Sequence, residues 1–275
     1  MKKWADIKIK THDWIDIMEH VKTHENDNPA CILGTYWKNR MTPKMWKEVE
    51  KTGRLVYGFV GDGWPIYSDQ SKTWNYDKFN VSGAFLDIHS RDAGDAIYQS
   101  NFIMSYLPKN HQHLFIIDIG SGYGRLAIPF IHHYRNEITY IGVDYSPIGL
   151  LCAGQFVEQA IDAKVLHWNE KGNFKDYNFV SLPAWRLNEL ENIPINCSIT
   201  VHSIQEMERV TVDYYINLID KVSATNALFY SVNLWPEDKY VKNNWSLMID
   251  RPFPINRDGS YNEKLFRINK ERVIL

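Results

Sequence analysis

Asp118, Gly120, Gly122 and Gly124 stand at alternate positions in FIIDIGSGYGRLAIPFI, residues 115–131. Asp144 ends the next strand, in YIGVDYS, residues 140–146, about 20 residues after the last of these glycines. An apolar run that carries one acid and then three glycines reads as a strand feeding a bare backbone turn. The missing β-carbons let a ligand approach the main chain and permit positive φ. A phosphate loop of the form GxxxxGK[ST] is excluded, because no Lys-Ser/Thr pair follows the glycines. A dinucleotide fingerprint would read G-x-G-x-x-G. Here the third glycine comes one residue early. Asp118 also argues against a pyrophosphate, which a neighbouring carboxylate repels. An acid at that place suits a ligand bearing an ammonium or sulfonium group. Asp144, after the next strand, suits hydrogen bonds to the two hydroxyls of a ribose. The plainer alternative is a tight strand-to-helix turn, with Asp144 capping the helix that follows.

A second group lies in SITVHSIQEMERV, residues 198–210, where His202, Ser203 and Glu206 fall close together. Histidine takes up a proton near neutral pH, so His202 is a candidate general base. Glu206 could orient it, hold a substrate hydroxyl or act as the base itself. Ser203 and Glu206 equally fit a capping box, S-x-x-E, with no catalytic meaning. His132 and His133 read as surface residues of a helix. His89, Arg91, Asp92 and Asp95 read as a solvated turn and helix start, although Arg91 would suit a phosphate group. No spaced carboxylate pair suggests a metal, so none is expected.

Strands alternating with helices must position these groups. LFIIDIG is a buried strand and GRLAIPFIHHY a helix, kinked or starting late because of Pro129. ITYIGVDYS is a second strand, followed by a helix that starts at Pro147. The third strand is NFVSL or, alternatively, AKVLHW. CSITVHS is a fourth strand, DYYINLIDKVS a helix and ALFYSVNLW a fifth strand. SLMID and LFRINKERVIL form a closing pair. This pattern implies a mostly parallel sheet covered on both faces, with the ligand at the carboxyl ends of the strands. Upstream, helices are expected over Asp13–His24, over Thr42–Gly53 and from Arg91 to near Pro108, with a hairpin or loop in LVYGFVGDGWPIY.

Bulk properties narrow the class. Apolar residues make up 44% and charged residues 23% of the 275, the balance of an ordinary globular chain. A formal net charge of −2 supplies no field drawing the chain to nucleic acid or an anionic membrane. Cys31, Cys152 and Cys197 form no CxxC pair and suggest neither a disulfide framework nor a zinc site. A reducing cytoplasm is the expected home. No membrane span and no signal peptide are expected. Aromatic residues reach 14%. Trp64, Trp74, Trp185, Trp235 and Trp245 could line a sugar-stacking groove or simply fill the core.

DIGSGYGR followed by IGVDYS resembles the class I S-adenosylmethionine-dependent methyltransferases. The resemblance spans residues 96–275 by element order and implies a Rossmann-like fold with a seven-stranded sheet. It implies that Asp118, Gly120, Ser121, Gly122 and Gly124 meet the methionine part of S-adenosyl-L-methionine. Asp144 would hold the ribose, and Tyr145, Leu182 and Ser203 would line the pocket. Residues 1–95 are read as an N-terminal helical cap on the substrate side. Ser203 to Met207, the GYGR phrase and Asn233 in SVNLW are similar to segments of sugar O-methyltransferases of bacterial surface-polysaccharide clusters. That narrower likeness implies methylation of a hydroxyl on a sugar, as part of a glycan or nucleotide-sugar precursor. In this fold the acceptor meets the methyl group at the end of the fourth strand, which makes His202 and Glu206 the catalytic candidates. Methylation of another small molecule, at nitrogen or oxygen, and a catalytically silent cofactor-binding subunit are the competing readings.

Overall fold

The computed structural model describes residues 23–24, 28–31, 91–109, 112–234, 241–255 and 260–270. The expected cap helices (apart from Thr23 and His24), the hairpin, His89, Trp64, Trp74 and Trp235 lie outside them.

Helix α1 (Arg91–Tyr106) precedes strand β1 (Leu114–Ile119). Helix α2 (Ala127–Tyr134), β2 (Ile138–Asp144) and α3 (Pro147–Ile161) follow. Next come β3 (Val165–Leu166), β4 (Phe179–Pro183) and β5 (Ile195–Val201). Helix α4 (Arg209–Val222), β6 (Ser223–Asn233), β7 (Trp245–Pro252) and β8 (Asn262–Ile268) complete the order. Among the described residues, all eight strands join one sheet in the order β3-β4-β2-β1-β5-β6-β8-β7. The pairs from β3 to β6 are parallel, and β8 runs antiparallel to both β6 and β7. A parallel sheet that turns outward from β1 in both directions and closes on an inserted antiparallel strand is the Rossmann-like arrangement of class I methyltransferases. The expected count of seven becomes eight because both alternatives for the third strand form. The edge strand β3 has only two residues, too few to leave a periodic signal.

Strands β1 and β2 are buried on both faces, which their near-continuous apolar runs require. Pro129 sits in the first turn of α2, where its missing N–H costs no helix bond, so the helix starts late. Helix α4 turns Val212, Tyr215, Ile216, Ile219 and Val222 inward, a three-and-four spacing that makes one apolar stripe.

Helix α1 covers the β6–β8 end of the sheet through a buried polar knot. Glu263 is fully buried and accepts from Tyr98 Oη (3.0 Å), Tyr230 Oη (2.8 Å) and Arg251 Nε (2.7 Å). The Arg251 guanidinium also lies 5.0 Å from the Phe102 ring centroid. Asp95 belongs to this interior: it is 1% exposed, so the expected solvated turn does not extend to it. Its charge adds to the burial that holds the Tyr230 phenol well above its usual range.

The crossover from β4 to β5 contains a 3-10 helix, Ala184–Leu190, where an α-helix is usual. Pro29–Cys31 packs near this place, with Ala30 and Cys31 buried and Pro29 O accepting from Thr211 Oγ1 of α4 at 2.7 Å. His24 stacks on Trp185 with centroids 4.8 Å apart. Part of the N-terminal region is therefore built into the core. No helix among the described residues is long and apolar enough to cross a membrane.

Candidate cofactor and acceptor site

The glycine loop is stitched to β2 and not left free. Gly120 N and Ser121 N both donate to Val143 O, at 2.9 and 3.2 Å. Gly122 N reaches across to Asp144 Oδ2 at 2.9 Å. Tyr145 N and Ser146 N donate to the other oxygen, Oδ1, at 2.8 and 2.7 Å. One carboxylate thus binds the loop after β1 to the turn after β2. The two motifs that were separate in the sequence form one unit. Asp144 does not cap α3; Ser146 does, its hydroxyl accepting from Gly149 N at 3.1 Å. Burial raises the Asp144 pKa above the usual carboxylate range, while the Ser146, Gly122 and Tyr145 N–H groups pull it back. Gly149 makes this packing fit, since a β-carbon there would lie 2.3 Å from the Asp144 carboxylate.

Gly120 and Gly122 have φ of 73° and 55°, in the left-handed region that other residues enter at a cost. A β-carbon on Gly120 would meet Ser203 Cβ at 2.4 Å, so the loop lies directly against the turn after β5. A β-carbon on Gly122 would meet nothing within 4 Å. This open space beside the Asp144 carboxylate is what a ligand approaching the main chain needs. Ser121 Oγ is buried without a hydrogen-bond partner beneath the loop.

Asp118 is 4% exposed and accepts from Tyr140 Oη of β2 at 2.8 Å. Burial pushes its pKa up to about 7, with a contribution from Asp144, while Tyr140 and Arg125 pull it down. In the unfolded chain the same acid titrates near ~4. Between those values the folded protein keeps a proton that the unfolded chain has released. Stability therefore falls as pH rises through that window and is level above it, by roughly 4 kcal/mol in all. An Asp118→Asn variant keeps an acceptor for Tyr140 and loses the titration. Its melting temperature is expected to exceed that of the unmodified protein at pH 8 and converge with it toward pH 4. Parallel melting curves across that range would show that Asp118 does not titrate there.

The end of β5 is equally tied down. Ser203 Oγ donates to Ile119 O at 2.6 Å and accepts from Thr200 Oγ1 at 2.7 Å. The expected capping box is absent: Ser203 makes no side-chain cap bond, because its hydroxyl is engaged on β1. Glu206 ends a 3-10 turn, Ile204–Glu206, rather than starting an α-helix. Gln205 Oε1 accepts from Leu234 N at 2.8 Å, so the turn is fastened to β6 as well. Asn233 is fully buried and its Nδ2 donates to Ser231 Oγ and to Thr200 O. At the centre His202 has φ of 58°, a left-handed backbone in a residue with a large side chain. Such a conformation costs about 1–2 kcal/mol and gathers at functional sites. His202 N still donates to Val232 O at 2.9 Å, and the imidazole stacks on Tyr261 with centroids 4.2 Å apart.

Among the other expected residues, Leu182 is fully buried on β4 opposite Val143, and Tyr145 is buried with its ring edge-on to Trp185. Trp245 is a core residue whose Nε1 donates to Asp220, and it packs against Phe229 and Phe266. His133 is exposed and His132 half-buried. Sequence reasoning missed Tyr140, Gly149 and Tyr261. A glycine two residues after the helix-opening Pro147 was a readable sign for the second; the other two sit in no motif. Among the described residues no group of three or more His, Cys, Asp or Glu side chains could hold a metal ion.

No protein-family model matches the chain, and no curated protein sequence gives a significant match. Solved structures do. YhhF from Escherichia coli, provisionally named a methyltransferase, is 17% identical over 64% of this chain and 86% of its own, with a TM-score of 0.43. TrmN from Thermus thermophilus is 10% identical over 63% of this chain and 48% of its own, with a TM-score of 0.45. Geranyl diphosphate C-methyltransferase from Streptomyces coelicolor A3(2), crystallised with Mg2+, geranyl-S-thiolodiphosphate and S-adenosyl-L-homocysteine, is 10% identical. It covers 62% of this chain and 75% of its own, with a TM-score of 0.39. The ligands of that crystal structure belong to that protein.

Proposed function

We propose that this chain is an S-adenosyl-L-methionine-dependent methyltransferase that methylates a sugar hydroxyl of a glycan or nucleotide-sugar precursor for a bacterial surface polysaccharide. The observation that carries the cofactor reading is the Asp144 carboxylate clipped to Gly122 N, beside the open space above that glycine. The glycine loop has room for close main-chain approach. Asp144 uses three N–H donors and retains capacity for a further one on its partly exposed side. When bound, the sulfonium supplies an activated methyl group for in-line displacement.

The protein's part is to hold and desolvate the reactants and to take the acceptor's proton. Asp144 and the loop Gly120–Gly124 hold the nucleoside and amino-acid ends. Asp118, next to the loop and close to its titration point, can lose its proton when a cationic group arrives. The turn Ser203–Glu206, packed against Gly120, brings His202 to the rim of this cradle. His202 accepts the proton of the acceptor hydroxyl as the oxygen attacks, and Glu206 orients the acceptor or the imidazole. The sugar assignment is supported by the similarity of the stretch Ser203 to Met207, the GYGR phrase and Asn233 to segments of sugar O-methyltransferases. Residues 1–95, part of which packs on α4 and Trp185, we assign to the acceptor side of a cytoplasmic enzyme.

Calorimetric titration with S-adenosylhomocysteine, NAD and ATP tests the cofactor reading. S-Adenosylhomocysteine is expected to bind, and the other two not. An Asp144→Ala variant is expected to bind it at least about 10-fold more weakly, since a hydrogen bond to a charged group is lost. Tighter binding of NAD, or unchanged affinity in the variant, would overturn the reading.

A further inference from the structure

We propose that Tyr261 is the positioning residue for His202, setting the plane and reach of the imidazole at the acceptor rim; this rests on the base reading of His202 above. Nothing in the sequence marks Tyr261, which lies just before β8 on the connection from β7. The structure brings it from 59 residues away (261 − 202) into face-to-face contact with His202, at an interplanar angle of 25°.

Both partners are fixed by bonds that do not depend on their own side chains. His202 is pinned through its N–H to Val232 O at the end of the β5–β6 ladder. Its left-handed φ then sets the direction in which the Cβ leaves the chain. Tyr261 is pinned through its carbonyl, which accepts from Phe253 N at 2.8 Å. Phe253 in turn is 1% exposed and meets the edge of Tyr98 of α1 at 5.6 Å. The phenol ring is thus mounted on the β7–β8 pair and anchored through α1 to the sheet. With the backbone fixed at both ends, the freedom left to His202 is rotation about its side-chain bonds. The flat Tyr261 ring, half-buried, closes one face of the imidazole, so rotation toward that side is excluded and the stacked plane is favoured. A proton acceptor must lie within hydrogen-bond reach of the group it serves, so the plane matters as much as the residue.

The contact needs an aromatic face and not the phenol oxygen. Tyr261→Phe should therefore behave differently from Tyr261→Leu, and that contrast is the test. Protein with 13C-labelled histidine gives a His202 ring resonance, assigned by its loss in His202→Asn. With Tyr261 stacked on the imidazole, its ring current is expected to shift this resonance upfield. In Tyr261→Leu it is expected to move downfield, and in Tyr261→Phe to return. Turnover is followed as S-adenosylhomocysteine release on a panel of free monosaccharides and nucleoside-diphosphate sugars. With the best member, Tyr261→Leu is expected to lower kcat by about 10-fold to 10²-fold with KM for S-adenosylmethionine unchanged. Tyr261→Phe is expected to recover the larger part of that loss.

A resonance that does not move in the leucine variant overturns the proposal, as does a moved resonance with kcat unchanged. Failure of the phenylalanine variant to recover either signal also overturns it. His202→Asn at full rate removes the base reading and the proposal together. An inactive His202→Asn with an unmoved resonance in Tyr261→Leu removes the proposal alone.

Discussion

A His202→Asn variant is expected to lose about 10²–10⁴-fold in kcat, the usual contribution of a positioned general base, while melting no lower than the unmodified protein. The two halves of that result come from different features of one residue. The left-handed backbone at φ 58° is entered more readily by asparagine, whose short polar side chain can bond locally there, than by histidine. Asparagine gives up the stack on Tyr261, about 0.5–1.5 kcal/mol, and recovers strain of similar size. Stability is therefore level, and the imidazole is gone. Thermal melts and initial rates on the sugar panel check the two halves separately. A residue kept for packing would behave in the opposite way, with melting lowered and turnover kept. Full turnover in the variant would point to an acceptor that needs no proton removed, such as an amine.

The element order was readable because parallel strands buried on both faces leave unbroken apolar runs, as in LFIIDI and ITYIGVD. Proline punctuation set the helix start at Pro147, and the helix read from Gly124 begins late, at Ala127, as Pro129 implied. The local signals failed where a side chain answers to a distant partner. Ser203 followed three residues later by Glu206 has the spacing of a capping box, yet Ile119 O lies close enough to take its hydroxyl. Asp95 in a charged stretch looks solvated, and α1 turns it into the core. Gly149 reads as a weak point in a helix, where alanine would ordinarily be preferred by about 1 kcal/mol. Here the Asp144 carboxylate occupies the volume of its β-carbon. Tyr261 is the extreme case, since its role depends on a strand pairing far along the chain. The glycine loop was legible as a bare backbone turn with positive φ because its chemistry is local. That Gly122 and Asp144 share a hydrogen bond was not legible, because no sequence spacing states which amide faces which oxygen.

Gly120→Ala should be the most damaging single-carbon change in the loop for folding, and Gly122→Ala the cleaner loss of binding. At Gly120 two costs combine. The left-handed φ of 73° costs alanine about 1–2 kcal/mol. The added carbon lies 2.4 Å from Ser203 Cβ, and both sit on backbone already tied to neighbouring strands. Such overpacking costs about 1–3 kcal/mol. Together, about 2–5 kcal/mol lowers the melting temperature by about 4–20 °C in a chain of this size. At Gly122 only the first cost applies, because the added carbon meets nothing within 4 Å. That carbon points into the space the proposed cofactor would occupy, so S-adenosylhomocysteine affinity should fall sharply while the melting temperature drops by only about 2–8 °C. The two sites separate a structural glycine from a ligand-facing one on the same turn. The contact at Gly120 has its own check in the Gly120→Ala/Ser203→Gly pair. Removing the Ser203 side chain alone costs its bonds to Ile119 O and Thr200, yet in the alanine background it also relieves the clash. The double variant should therefore be less damaged than the sum of the singles by about 1–3 kcal/mol. Simple additivity would mean that the loop and the β5 turn are not in contact, and His202 would then lose its place beside the glycine loop.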